Sequence, residues 1–370
     1  MRSYIHIPFC ENKCQYCRFA SIANINQKWV DTYISHLIWD IQNFKRPDTS
    51  ISGLLESLYF WWWTPSILPE KHLQSLWEAL EKKFWYEKSI EITLETNAKN
   101  LTQKNLLLWE KYGINRISLG IQTLNTASLE YLKRDKKEEI LQALENIKNS
   151  KIQNISLDFI LWLPYVKPGE IRENIQFLLE NYHYIQHISV YMLEEYYDIE
   201  KNEKHFQTIT YPPSWKQLWL QEDEYEKEYQ DIYYLLQKFW FMRYEISNFA
   251  KPWYECKHNQ WYWTHSEIVG FWLGSHSFIN GKRYAYKDDF WGYYKWEFEY
   301  EEILNTYDIF LEKVIFWLRT SWLSEDIYKK LHQKKLKNLV DTGFLEYQNN
   351  LLILTLKGVI LIDKILVEIW

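Results

Sequence analysis

The chain has 370 residues, of which 47% are hydrophobic, and a formal net charge of -6. This length suffices for one large domain and a small second one. The mild negative charge and the lack of a basic run give no electrostatic basis for nucleic-acid binding. Charged residues such as Lys357 and Asp363 interrupt the most apolar stretch, residues 351–370, so no membrane span is expected.

Strand-like apolar runs alternate with helical patterns in the first half of the chain. Helical spacing of apolar residues predicts helices over 27–44, 69–84, 102–112 and 168–181, with further helical segments up to 149. The predicted strands cover residues 4–7, 57–60, 89–95, 114–120, 154–161 and 187–193. Six such βα units require parallel strands with helical crossovers. The pattern predicts an α/β fold with a partial (β/α)6 barrel that resembles a TIM barrel and is open on one side.

The character of the sequence changes near residue 200. We expect a partial barrel over 1–200, a helical and aromatic insertion over 201–299, and a small C-terminal domain over 300–370. The C-terminal segment alternates helical patterns with a hairpin-like run, FLEYQNNLLILT, which is typical of a winged-helix-like unit.

Three of the four cysteines, Cys10, Cys14 and Cys17, lie in one short segment. Thiolates are the usual ligands of iron–sulfur clusters, and a cubane normally takes four of them. Three clustered thiolates can hold three irons of a [4Fe–4S] cluster and leave the fourth iron open to chelate a small molecule. The spacing therefore indicates a radical S-adenosylmethionine (SAM) protein. Two alternatives stay open: a remote fourth ligand, Cys256, and a zinc site or buried thiols, although zinc motifs favour paired short spacings and histidine partners.

Several polar residues follow or close the predicted strands. The cysteine loop follows the first strand and FWWWTPS the second, while Glu95 closes the third. Gln122 lies just past the fourth strand and Asp158 within the fifth. Chemistry in βα barrels is located at the carboxyl ends of the strands. We therefore expect all five features to gather at one mouth.

Tryptophan is abnormally frequent and glycine abnormally rare. The chain has 21 Trp and 10 Gly, whereas average usage would give about 26 Gly. Indoles stand beside turn signals in FWWWTPS and FWLGSHS, where glycine is normally used because it accepts positive φ and close backbone approach. Some bacteria read the codon UGA as glycine and others as tryptophan. The hypothesis is that the gene uses UGA for glycine but was translated with a genetic code in which UGA encodes tryptophan, so that Trp stands at glycine positions. The alternative is a genuinely Trp-rich protein.

The motifs along nearly the whole chain resemble one family. YIHIPFCENKCQYCRF resembles the cluster loop of the radical SAM family that contains the oxygen-independent coproporphyrinogen III oxidases and the HemW-type heme chaperones. EITLETNA, RISLGIQTLN, ISLDFILWLP, FWLGSHS and LRTSWL resemble further blocks of that family. Tyr165 departs from a usual family glycine. Tryptophans replace family glycines at Trp61, Trp62, Trp63, Trp162, Trp240, Trp253, Trp272, Trp317 and Trp322.

The resemblance implies a [4Fe–4S] cluster on Cys10, Cys14 and Cys17 whose open iron binds SAM. It places the SAM contacts at Tyr4, Trp62, Trp63, Thr64, Glu95, Gln122, Arg134 and Asp158, with positions 62 and 63 acting as glycines. If the printed indoles are real, they block this pocket. Considered alone, Arg134 in LKRDK also fits a solvated helix end, because surface charges are the rule. Glu95 and Asp158 are stronger candidates, since a carboxylate in an apolar strand is rarely left unpaired.

Two features favour the chaperone branch over the oxidase branch. Arg18 and Phe19 follow Cys17, where the oxidases have a C-x-C pattern. HNQWYW matches the H-N-x-x-Y-W motif associated with heme binding in the chaperones, through His258, Asn259, Tyr262 and Trp263. Imidazole is a common heme ligand and aromatic rings pack on porphyrin faces. A structural histidine in an aromatic cluster is the alternative for His258.

The resemblance therefore implies a heme chaperone that delivers heme to respiratory enzymes. The alternative is an oxygen-independent coproporphyrinogen III oxidase, so the sequence leaves open whether the protein is an enzyme. A cluster-free scaffold follows only if the tryptophans are real. We expect a cytoplasmic protein with a heme-accepting respiratory partner, because the cysteines suit a reducing compartment and no signal peptide is visible. A homodimer and peripheral membrane association stay open.

Overall fold

The structure is a computed structural model. It describes residues 1–14, 16–17, 22–23, 26–45, 54–61, 68–193, 222–320 and 322–369. Arg18, Phe19, Trp62, Trp63 and Thr64 lie outside the described residues, as do residues 201–221 of the region predicted as an insertion.

The strands of the described residues form one large sheet and two small ones. They are β1 (Arg2–His6), β2 (Phe9–Cys10), β3 (Ile22–Ala23), β4 (Ser57–Trp61), β5 (Glu91–Thr96), β6 (Arg116–Gln122), β7 (Asn154–Leu161), β8 (His187–Met192), β9 (Met242–Arg243), β10 (Asn248–Ala250), β11 (Ile268–Phe271), β12 (His276–Ile279), β13 (Lys282–Tyr286), β14 (Phe298–Ile303), β15 (Trp322–Ser324), β16 (Leu345–Gln348) and β17 (Leu351–Leu354).

The helices of the described residues alternate with the parallel strands and then build the C-terminal segment. They are α1 (Gln27–Asn43), α2 (Glu70–Lys83), α3 (Gln103–Lys111), α4 (Thr126–Tyr131), α5 (Lys137–Lys148), α6 (Glu170–Asn181), α7 (Glu222–Lys238), α8 (Lys257–Trp263), α9 (Phe290–Tyr294), α10 (Thr306–Thr320), α11 (Glu325–Tyr328), α12 (Gln333–Asp341), α13 (Leu356–Ile360) and α14 (Ile362–Ile369). None of them is long and apolar enough to cross a membrane.

Side-chain caps set several helix starts close to the predicted ones. The side chain of Asn26 accepts a hydrogen bond from the backbone N–H of Trp29 at the start of α1. Thr102 does the same for Asn105 at the start of α3. These side chains satisfy backbone donors that a helix leaves unpaired in its first turn, so each helix begins directly after its cap.

The six predicted parallel strands are present and lie side by side in chain order, as β1, β4, β5, β6, β7 and β8. The sheet that contains them is larger and more mixed than the predicted six-strand barrel. It has twelve strands in the order β14-β13-β12-β11-β1-β4-β5-β6-β7-β8-β10-β9. β11 pairs parallel to β1, and β10 pairs antiparallel to β8.

The sequence missed strands β9 to β14, of which β9 to β12 have only two to four residues and β14 is exposed along its whole length. They pair with both edges of the parallel core and so cover backbone groups that would otherwise stay open.

The parallel strands alternate between an apolar and a polar face. Leu58, Leu94 and Ile117 are buried among apolar residues. Their immediate neighbours on the same strands, Tyr59, Thr93 and Ser118, belong to a buried polar row. Because successive side chains point to opposite faces of a strand, one face packs on helices while the other encloses a polar interior.

The C-terminal segment has its own three-stranded antiparallel sheet, in the order β15-β17-β16. Asn349 and Asn350 join β16 to β17 and have φ values of 50° and 62°. Two successive positive φ values suit the two-residue turn of a hairpin. The hairpin predicted from FLEYQNNLLILT is therefore confirmed.

The backbone bears on the tryptophan hypothesis. Trp162, Trp240 and Trp253 have φ values of 68°, 65° and 75°, in the region that favours glycine. Trp240 and Trp253 are 80% and 91% exposed, so burial of the indole does not compensate. Trp296, which the motifs did not single out, also has a positive φ of 61°. These conformations support replacement of glycine at these positions. Tyr165 has a φ of 66°, and recoding does not explain it.

Candidate functional site

The cysteine segment lies beyond the carboxyl end of β1. We call the carboxyl ends of β1 and β4 to β8, together with this cysteine loop, the mouth. Cys10, Cys14 and Cys17 are all buried. Cys14 and Cys17 pack in one cluster with Tyr16 and Trp61. The pairing of β2 with β3 fixes the segment around Cys10. The mouth thus gathers three thiols without exposing them to solvent.

Arg134 is not a solvated helix end. Its Nη1 donates to Cys14 Sγ at 3.5 Å, and its Nη2 donates to the Gly120 carbonyl. A Cβ at position 120 would lie 3.0 Å from this guanidinium and 2.8 Å from Gln122 Nε2, so glycine leaves the space that both side chains use. Hydrogen bonds to the ligating sulfurs tune iron–sulfur clusters, so Arg134 is placed to act on a cluster bound through Cys14. Gly120 is a positioning residue that the sequence did not single out.

The three thiols suit a cluster better than a single ion. Among the described residues, no three His, Cys, Asp or Glu side chains converge closely enough for one metal ion. A cubane does not need such convergence, because each thiolate binds a different iron. Burial, the shared loop and the adjacent Arg134 therefore fit an iron–sulfur cluster.

The predicted SAM residues divide into two groups. Tyr4 and Glu95 line a cavity together with Trp61, whose ring centroid lies 5.6 Å from that of Tyr4. Glu95 accepts a hydrogen bond from the Tyr59 hydroxyl at 2.8 Å. Tyr4 donates to the His276 carbonyl at 2.9 Å, and burial raises its pKa above the usual value.

Gln122 and Asp158 lie at the mouth on neighbouring strands but do not line this cavity. Gln122 has a φ of 68° beside an irregularity between β6 and β7. A left-handed non-glycine residue is a strain that often marks a functional position. Asp158 accepts hydrogen bonds from Ser118 Oγ at 2.8 Å and Ser156 Oγ at 3.1 Å. Burial nevertheless raises the pKa of Asp158.

The H-N-x-x-Y-W residues form α8, which packs at the inner end of the polar interior, where β4 and β5 begin. Glu91, the first residue of β5, accepts hydrogen bonds from the backbone N–H groups of Lys257 at 2.9 Å and His258 at 3.1 Å. The Cys256 thiol also donates to Glu91, at 3.4 Å. This buried carboxylate satisfies the first turn of the helix.

Cys256 is a structural thiol and not a fourth cluster ligand. It is fully buried at the start of α8, next to Glu91 and far along the strands from the cysteine loop. Burial raises its pKa well above the usual range, so the thiol stays protonated. A metal ligand would have to be a thiolate.

His258 is held as a neutral imidazole. Its Nδ1 hydrogen bonds with Ser57 Oγ at 2.9 Å, and its ring lies 5.1 Å from that of Tyr59. Burial lowers the pKa of His258 to about 3, with the charges of Arg2 and Arg116 acting in the same direction. Neutral imidazole is the form that ligates metals.

One cavity of about 770 Å³ connects the two predicted sites. Its lining includes Tyr4 and Glu95 from the mouth, and His258, Asn259, Tyr262 and Trp263 from α8. This volume lies in the range of roughly 300–1,000 Å³ that is typical of ligand pockets. The sequence did not reveal that both motifs share a chamber.

These features place the chain in the radical SAM superfamily, whose sequence model matches residues 4–178. The curated relatives are more specific. The chain is 30% identical to "Heme chaperone HemW" of Lactococcus lactis, over 76% of this chain and 70% of that protein. It is 32% identical to the Bacillus subtilis protein of the same name, over 76% and 72%. The chain belongs to this family of heme chaperones.

A solved structure confirms the fold. Coproporphyrinogen III oxidase (HemN) from Escherichia coli, described as a radical SAM enzyme, superposes with a TM-score of 0.81 at 19% identity, covering 100% of this chain and 89% of that chain. The α/β radical SAM fold predicted from the sequence is therefore present.

Proposed function

We propose that this protein binds a [4Fe–4S] cluster, SAM and heme, and acts as a heme chaperone that delivers heme to a respiratory enzyme. The observation that carries the proposal is the shared cavity, which joins mouth residues such as Glu95 to His258 on α8. Similarity to proteins named as heme chaperones supports the same function.

We also propose a partial barrel over 1–200, an insertion with α8 over 201–299 and a winged-helix-like domain over 300–370.

Cys10, Cys14 and Cys17 hold the cluster in this proposal. When bound, a cluster with one open iron supplies a site that chelates SAM and delivers an electron to it. Arg134 supports the ligand at Cys14, because its Nη1 donates a hydrogen bond to the sulfur at 3.5 Å.

SAM would bind between the cysteine loop and the strand ends. Glu95 and Asp158 offer carboxylates to its ammonium and ribose groups, while Tyr4, Gln122 and Arg134 shape the mouth around it. Positions 62 and 63, as glycines, and Thr64 line its methionine end by family resemblance. If Trp62 and Trp63 are real, the resemblance implies that their indoles would block the SAM pocket.

His258 is the proposed heme ligand. The hydrogen bond between Nδ1 and Ser57 orients the ring and leaves Nε2 for iron. Tyr262 and Trp263 lie edge to face, with ring centroids 5.0 Å apart, and offer aromatic surface to the macrocycle. Asn259 lines the same cavity.

Heme titration of purified, anaerobically reconstituted protein tests this function. We expect one heme per chain and loss of that binding in His258→Ala. His183→Ala is the matched control, because His183 is exposed and distant from the cavity lining. Unchanged heme binding in His258→Ala would reject the assignment of the ligand.

An oxygen-independent coproporphyrinogen III oxidase is the second candidate, and the fold likeness to that enzyme favours it. This function would convert two propionate side chains of coproporphyrinogen III to vinyl groups by oxidative decarboxylation. Incubation with coproporphyrinogen III, SAM and a reductant distinguishes the two. Vinyl-group formation would replace the chaperone proposal, and stoichiometric heme uptake without turnover supports it.

A further inference from the structure

The aromatic end of the cavity is shared between α8 and α10. The ring centroids of Tyr262 and Trp263 lie 5.7 Å and 5.6 Å from that of Phe316 on α10. The guanidinium carbon of Arg319, near the end of the same helix, lies 5.1 Å from the centroid of the Trp263 ring. The C-terminal segment therefore supplies one wall of the chamber that the H-N-x-x-Y-W motif lines.

Two arginines line the cavity, and they differ in their partners. Arg283 on β13 forms an ion pair with Glu312 through Nη2. Glu312 also bonds His265 Nε2 at 2.7 Å, so its carboxylate is already shared by two groups. Arg283 is thus fixed in place at the cavity wall.

Arg319 has weaker partners. Its Nη1 lies 3.5 Å from Asp363, whose side chain is 87% exposed. Its Nε is buried and has no hydrogen-bond partner in the part of the chain that the structure describes. Glu245, a buried carboxyl group in the lining, accepts a hydrogen bond from the Ser247 N–H at 2.8 Å and attracts Arg319 only through its charge. A buried donor without an acceptor is rare and calls for a ligand or water.

The geometry points to a carboxylate-binding subsite at Arg319 for the acidic side arms of a tetrapyrrole in the cavity. The Nε–H and Nη–H edge of a guanidinium matches a carboxylate through two parallel hydrogen bonds. The ring then packs on the aromatic residues beside Trp263, while the acidic arms face α10. This inference rests on the proposed heme-binding function and adds a binding residue outside the H-N-x-x-Y-W motif.

Comparing heme with its dimethyl ester tests the subsite, because esterification removes both carboxylate charges and keeps the ring and iron. Absorbance titrations use reconstituted wild type, Arg319→Ala and Arg319→Lys. We expect wild type to bind heme about 10- to 100-fold more tightly than the diester, as expected for charge-assisted hydrogen bonds. Arg319→Ala loses that preference by weakening heme binding alone. Arg319→Lys keeps the positive charge but cannot form the two parallel hydrogen bonds, so it recovers part of the preference for heme.

Arg172→Ala is the matched control, since Arg172 lies on α6 outside the cavity lining. Wild type that binds neither compound rejects the heme-binding function on which the subsite rests. Wild type that binds both compounds equally, or an Arg319→Ala variant that keeps the preference for heme, overturns the subsite while leaving heme binding intact. If Arg319→Ala does not fold, the preference of wild type for heme over the diester and the reduced preference of Arg319→Lys still test the subsite.

Discussion

The mouth and the inner end of the polar interior are built from different kinds of contact. At the mouth, three cysteines within one short segment supply the chemistry, and the local chain places them together. At the inner end, α8 depends on residues far away in sequence: Glu91 caps it, and Ser57 bonds His258. A short segment is therefore enough to recognise the mouth, whereas the setting of His258 exists only in the folded protein.

The largest expected effect is the loss of iron when the cysteines of the mouth are replaced, while replacement of the cysteine at the inner end leaves the iron content unchanged. Changing Cys10, Cys14 and Cys17 to alanine together should abolish the cluster, taking iron from about four per chain to background, because no other thiol lies at the mouth of the described structure. Iron and sulfide analysis with the visible spectrum measures this. Cys256→Ala is the matched control and should keep its iron. Retention of iron by the triple variant, or its loss in Cys256→Ala, would mean that the cluster lies elsewhere.

At the inner end, Glu91→Ala should destabilise the fold by about 3–5 kcal/mol, because it removes a buried carboxylate that attracts a buried positive charge. Glu91 attracts the fully buried Arg116, whose Nε and Nη1 have no hydrogen-bond partner among the described residues. The variant also leaves two N–H groups of α8 uncapped. Urea unfolding measures the change.

Glu70→Ala is the comparison for that variant. Glu70 pairs with Lys111 on the surface, where both side chains are more than half exposed. Its loss should change stability little. Similar midpoints and slopes for both variants would show that the inner network is not a structural support.

These contacts define what the sequence could and could not predict. Strand β7 was predicted at its observed bounds, residues 154–161, because alternation and crossover helices are local signals. Arg134 reads as a surface residue in LKRDK, yet it is directed at Cys14 because Gly120 leaves room for it. The role of Glu91 could not be predicted, because its hydrogen-bond partners are 166 and 167 residues away in the sequence.

The depressed pKa of His258 should make the inner end sensitive to acid. Burial lowers this pKa to about 3, below the value of 6.5 for an ordinary histidine. The unfolded chain therefore binds a proton that the folded chain does not, and stability falls as pH drops from about 6.5 towards about 3. At pH 5 the loss should be about 2 kcal/mol relative to pH 7.

Unfolding of wild type and His258→Gln at both pH values isolates this contribution. The variant should lose less stability on acidification, by about 2 kcal/mol. An identical acid dependence would show that His258 is not kept neutral by its setting.

The smallest expected effect tests the tryptophans, which occur in both regions. Trp253 precedes α8 with a φ of 75° and is 91% exposed, so the indole adds strain without burial. Trp253→Gly should therefore raise stability by about 1 kcal/mol, since a left-handed conformation costs an ordinary residue about 1–2 kcal/mol. Trp109→Gly, at a buried helical position, is the opposite control and should lose about 3–5 kcal/mol.

The codons of the gene test the same hypothesis for the tryptophans at the mouth. UGA codons at Trp253, Trp240, Trp162 and Trp61 to Trp63, with UGG at Trp109 and Trp263, would identify glycine in the natural protein. UGG at all of them, together with a Trp253→Gly variant that is less stable than the parent, would establish real indoles. In that case Trp61 remains at the mouth, packed on Cys14 and Cys17, and the protein would have to bind the proposed cofactors around it.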